Sequence, residues 1–301
     1  MSPETIRIPG LDTEWARQLL GFLEAEQPAL GAALKMPGRR PDQIQCAFFA
    51  AYSLDLASLH YALGDDLEAV RGYLDDAILG HWHLFAQRGT TRAFPWELVT
   101  LPSERHAGEG DAPAEQGEGG GGTDTDFSMT NSRKGLLAMY LALVTKGCQV
   151  AQELASLVKD PPNATYIGPR SEICTPNEQR LAYASKALLA EAKGTFFAEL
   201  EGIQDPSPDI AFQEQLLRAL EAGKADAFLD HLRAFLDWHR AEWKLPDNLR
   251  NTDLFLNLAA LGLCEWALER RIISLEALQV AIPDFPVGLL HSGPGTPPAH
   301  G

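Results

Sequence analysis

A chain of 301 residues, 45% hydrophobic and 22% charged, is long enough to bury one or two cores and too apolar to stay unfolded. Its formal charge of -16 repels nucleic-acid backbones and anionic lipid surfaces, which excludes both as expected partners, and it steers a basic protein towards the chain. The first ten residues lack a basic stretch followed by an apolar one, and Cys46, Cys148, Cys174 and Cys264 lack metal-ligand spacing, so the expectation is a cytoplasmic protein with reduced, core-packed thiols.

Helical periodicity runs through almost the whole sequence. A first helix is expected from Asp12 to Gln27, capped by Asp12 or Thr13, with Trp15, Leu19, Leu20 and Leu23 on one face. Pro37 to Pro41 breaks the chain, and Asp42 opens an apolar helix through Phe49, Leu54 and Tyr61 that Gly64 stops. Asp65 caps the next helix, whose stripe is Leu67, Val70, Leu74, Ile78, Trp82 and Phe85; so short a turn makes the two helices antiparallel neighbours. Residues 102–126 hold seven carboxylates, the Gly119 to Gly122 run and few large apolar side chains, and read as a disordered acidic insertion.

Beyond it, Asn131 or Ser132 caps a helix through Leu143, Gly147 turns the chain, and a second helix ends at Pro161 and Pro162. Thr175, Pro176 and Glu178 form a capping-box pattern, and apolar residues at three- and four-residue steps predict one helix from there to Leu200. Helices over Ile210–Ala222 and Ala225–Trp243 follow. Thr252–Arg271 reads as a helix apolar nearly all round, which belongs between layers of other helices, and Ser274–Ala281 as a short last one. No stretch alternates apolar and polar residues, so no sheet is expected. The fold class is all-α, an irregular solenoid-like array of antiparallel hairpins. Its parts are 1–101, the insertion 102–126, a second helical part 127–290 packed on the first, and a frayed tail 291–301.

No pattern of catalytic residues stands out. Asp65-Asp66 and Asp75-Asp76 are the pairs that would suit magnesium in diphosphate chemistry, but no third carboxylate follows Asp75-Asp76, and Asp65-Asp66 occupy a capping position. His81 and His83 stand two apart on a helix, point in different directions and read as a surface pair. A glycine-rich phosphate loop before a helix, a nucleophile elbow and a cysteine with an evident histidine are all missing from the sequence. Asp237, His239 and Glu242 alternate with Trp238 and Trp243 and read as an amphipathic helix surface. The chain is therefore expected to bind rather than catalyse, with no cofactor or metal. Asp65, Asp66, Asp75, Asp76, Asp237 and Glu242 are the candidate contacts for a basic protein. The alternatives are a helical metal-dependent enzyme using the aspartate pairs, and a peptide-binding scaffold, which a concave groove would favour.

Two segments carry a resemblance. Asn131-Ser132-Arg133-Lys134-Gly135-Leu136-Leu137-Ala138-Met139-Tyr140-Leu141-Ala142-Leu143 resembles the central helix of the immunity protein 49 family. Leu258-Ala259-Ala260-Leu261-Gly262-Leu263-Cys264-Glu265-Trp266-Ala267, with the proline-bearing stretch Ile282 to Leu290, resembles that family's close. The resemblance spans about residues 40 to 290, helix order included, and the acidic insertion departs from it. It implies an all-helical protein, encoded beside a bacterial polymorphic toxin, that binds the toxin domain and neutralises it by occlusion. It transfers no toxin-binding residue.

Overall fold

The computed structural model describes residues 8–34, 43–86, 130–158 and 174–291. The chain break at Pro37–Pro41, the cap at Asp42, the acidic stretch 102–126, the stop at Pro161 and Pro162 and the tail beyond His291 lie outside the described residues.

Everything regular in the described residues is helical, and they contain no strand. Their α-helices are α1 (Thr13–Leu34), α2 (Gln43–Leu63), α3 (Leu67–Ala86), α4 (Ser132–Lys146), α5 (Cys148–Leu157), α6 (Pro176–Leu189), α7 (Lys193–Glu201), α8 (Pro208–Glu221), α9 (Ala225–Trp243), α10 (Leu258–Glu269) and α11 (Leu275–Ala281). Side-chain caps set several starts. Asp12 accepts from the Trp15 amide at 3.1 Å, Asn131 from Lys134 at 3.0 Å and Ser274 from Ala277 at 3.1 Å. Thr175 and Glu178 form the full capping box at α6. Before α3 it is Asp66, not Asp65, whose carboxylate accepts a backbone amide, that of Glu68. Asp65 instead bonds His60 at 2.7 Å.

Helices consecutive in the chain pack as pairs: α2 on α3, α4 on α5, α6 on α7 and α8 on α9. Gly64 and Gly147, at φ +82° and +80°, supply the left-handed turns of the first two pairs. The pairs are joined through α4, which touches α3, α5, α6 and α10. Its sequence is apolar on every face, from Leu136 through Val144, and these residues are buried apart from the half-buried Leu137. At the crossing of α4 and α10 a Cβ on Gly262 would stand 2.9 Å from the Tyr140 backbone, so only glycine lets these helices approach so closely. One large core runs through all the pairs, and a smaller one of Ile8, Leu23, Leu59, Leu63 and Phe255 seals α1 on α2.

Three boundaries differ from the sequence reading. α1 continues through Pro28 to Leu34, and Gln27 is buried, donating to Ser53 on α2 and Asp76 on α3. The stretch expected as one helix from Thr175 to Leu200 is two. α6 ends at Leu189, Glu191 takes a left-handed φ of +57°, and α7 folds back so that Arg180 meets Glu199 at 3.2 Å. The folded-back α7 buries Phe196 and Leu200 fully, which favours the reversal. Finally, Thr252–Leu254 is a 3-10 turn, and α10 begins only at Leu258, where the Asn257 side chain caps Ala260 at 2.9 Å.

Candidate functional site

An open cleft of about 740 Å³ lies between the α2–α3 pair and the second half of the chain, within the size range of small-ligand and side-chain-binding sites. Helical spacing builds its walls. Ala47, Ala51, Leu54, Asp55 and Ser58 recur on one face of α2; Asp209 and Gln213 stand one turn apart on α8; Phe235, Trp238 and His239 share a face of α9. His81 and Leu84 enter from α3, Lys134 and Leu137 from α4, Leu181 from α6, and Asp253, Leu254 and Asn257 from the stretch before α10.

One wall is aromatic and rigid. Phe235 stacks on Phe212 at 5.5 Å and on Trp238 at 6.0 Å between ring centroids. The polar groups have unusual surroundings. His81, expected at the surface, is only 6% exposed, and burial, helped by the Lys134 charge, lowers its pKa to about 4. His239, read as part of a polar face, is 5% exposed and lowered to about 4 by burial first and Arg240 second. Both rings are therefore neutral at physiological pH. Burial also raises the Asp55 pKa; the bond from Thr252 Oγ1 at 2.6 Å opposes that rise, and the nearby Asp253 charge adds to it.

Buried polar atoms in this lining without a hydrogen-bond partner among the described residues include His81 Nδ1, Gln213 Oε1 and Asn257 Nδ2. Leaving such an atom unsatisfied costs about 1 to 3 kcal/mol, so a molecule entering the cleft and bonding to them would recover that energy. The signals that marked the cleft in the sequence were weak, since His81 and Gln213 sit on apolar stripes where a core role is the ordinary outcome.

The carboxylates singled out in the sequence do not come together as one site. Asp75, 16% exposed, forms an ion pair at 2.7 Å with the buried Lys146 of α4, while Asp76 accepts from Gln27 of α1. Adjacent residues on α3 thus bond to different neighbouring helices, α4 and α1. Asp65 holds His60, Asp66 caps α3, Asp237 pairs with Arg240 at 3.2 Å, and Glu242 accepts from Asn248. None of the six lines the cleft. No three His, Cys, Asp or Glu side chains among the described residues are grouped to hold a metal, and no described helix is long and apolar enough to cross a membrane. The four cysteines are free, three of them buried.

Comparison with protein-family models, curated proteins and solved structures finds no match.

Proposed function

We propose that this chain is an immunity protein that binds the toxin domain encoded beside it and neutralises it by occlusion, with no cofactor and no chemistry of its own. The observation that carries the reading is the cleft. It is open and largely apolar, with one aromatic wall, and it holds buried polar atoms that a protruding segment of a partner would satisfy. Charge supports it too, because a chain at -16 raises the encounter rate with a basic protein. The resemblance of α4 and α10 to the immunity protein 49 family supplies the partner class. In this reading the toxin is met in the cytoplasm of the cell that makes it.

The same cleft favours a second reading, a scaffold for peptides unrelated to toxins. Co-expression with the neighbouring toxin domain separates the two. The immunity reading expects protected growth and a co-purifying 1:1 complex whose Kd rises with salt. Unprotected growth and no complex would refute it.

A further inference from the structure

We infer that the cleft receives a basic side chain of the partner, its guanidinium or ammonium group seated between Asp55 and Asp253 and its aliphatic stem lying along Trp238. This rests on the partner-binding reading and names the chemistry of what enters.

Among the described residues, the charges lining the cleft do not balance. Four carboxylates, Asp55, Glu178, Asp209 and Asp253, face two cations, Arg133 and Lys134. Arg133 lies 3.4 Å from Glu178, which leaves three carboxylates against Lys134 alone. Asp55 projects from α2 and Asp253 from the 3-10 turn, and the Thr252 bond to Asp55 holds the two segments together. Neither carboxylate has a cationic partner among the described residues. Asp55 stands on α2 and Asp253 in the 3-10 turn before α10, whereas Lys134 stands on α4.

Gln213 points to the same occupant independently. It is 8% exposed, lines the cleft one turn from Asp209, and its side-chain oxygen has no donor. An oxygen buried this way needs N–H groups, and a guanidinium brings five. Trp238, held by its stack on Phe235, presents the kind of ring face that attracts such a cation. An isolated acidic surface would offer carboxylates alone, whereas here carboxylates, an unsatisfied buried acceptor and an aromatic face line one cavity.

The test uses the whole chain and two small probes that differ only in charge, Nα-benzoyl-L-argininamide and its neutral isostere Nα-benzoyl-L-citrullinamide. The first should change tryptophan fluorescence saturably, and the Trp238→Phe variant should lose that signal. The citrulline compound should bind at least tenfold more weakly. The Asp55→Asn/Asp253→Asn pair should weaken the argininamide at least tenfold with thermal unfolding unchanged, since a side-chain amide at position 55 keeps an oxygen that accepts from Thr252. Should the pair fail to fold, Asp253→Asn alone, at an exposed position, should weaken binding at least threefold. Equal binding of the two probes, no binding of either, or a folded double variant that binds like wild type would overturn the inference. The toxin complex separates this failure from that of the broader reading. A double variant that binds toxin like wild type sinks the basic-side-chain inference only, whereas a wild-type chain that forms no complex sinks the partner-binding reading itself.

Discussion

Two buried histidines set how the folded state responds to acid. His81 and His239 sit in the cleft wall with pKa values near 4, against an ordinary 6.5, so the folded state favours their neutral forms. Stability from this source is complete above pH 6.5 and is lost as the pH falls from 6.5 to 4, because the unfolded chain takes up protons first. Across that window the shifts correspond to about 3 kcal/mol per histidine. Glu269 works the other way. It is raised to about 6 by burial, opposed by the Cys148 amide it accepts from and reinforced by Glu265, so its contribution is present below pH 4.5 and is lost as the pH rises through 6. Two groups shifted by more outweigh one shifted by less. Urea unfolding at pH 7 and pH 5 should therefore show a clear loss at the lower pH, and the His81→Gln/His239→Gln pair should flatten that slope. An unchanged slope in that pair would refute the assignment. Neither burial was legible in the sequence. Periodicity placed His81 correctly on α3, but what covers it, the cleft wall with Lys134 on α4, comes from a segment about fifty residues away.

At the scale of elements, the sequence was informative wherever a local signal decided the structure. Capping residues such as Asn131, Thr175 and Ser274 act within one turn, and the helices they start stand where the sequence places them. The reversal between α6 and α7 was hidden for the opposite reason. Ala192, Phe196 and Leu200 continue the helical rhythm, and no proline interrupts it. Gly194 lies inside α7, past the turn, and the turn itself depends on packing that only the folded chain provides. Glu191 occupies the left-handed position that glycine usually fills in such a helix end, with the Ala192 amide bonding the Ala187 carbonyl at 2.8 Å. Glu191→Gly should therefore raise stability by about 0.5 to 1 kcal/mol, the relief of backbone strain exceeding the added freedom of the unfolded chain. Urea unfolding would measure it, and a destabilised variant would show that the glutamate side chain contributes more than its backbone costs. At the start of α5 the cap comes from another element. Gly147 has no side chain, and Glu269 of α10 accepts the Cys148 amide with both oxygens, at 2.9 and 3.0 Å. A sequence pattern read along one helix cannot see a cap supplied from 121 residues away.

For the whole molecule, the all-helical class followed from periodicity alone, and the apolar circumference of the last long helix announced its place between layers. α10 is buried from Leu258 to Ala267 except for Ala259 and packs on α4 and α8. The cleft was not legible, because it exists only where seven separate segments meet, each contributing one or a few residues from an ordinary amphipathic face. The six acidic residues taken from the sequence as contacts each have a partner within the chain, among them the Asp75–Lys146 and Asp237–Arg240 ion pairs and the Asp66 cap of α3. The proposal that a partner's segment enters this cleft is tested most directly by plugging it. Ala51 lines the cleft and is solvent-exposed, so Ala51→Trp should fill the space without disturbing either core. Titrating the proposed toxin partner into wild-type and Ala51→Trp protein by calorimetry should show at least a tenfold loss of affinity at an unchanged Tm. Equal affinity for the two proteins would contradict the account.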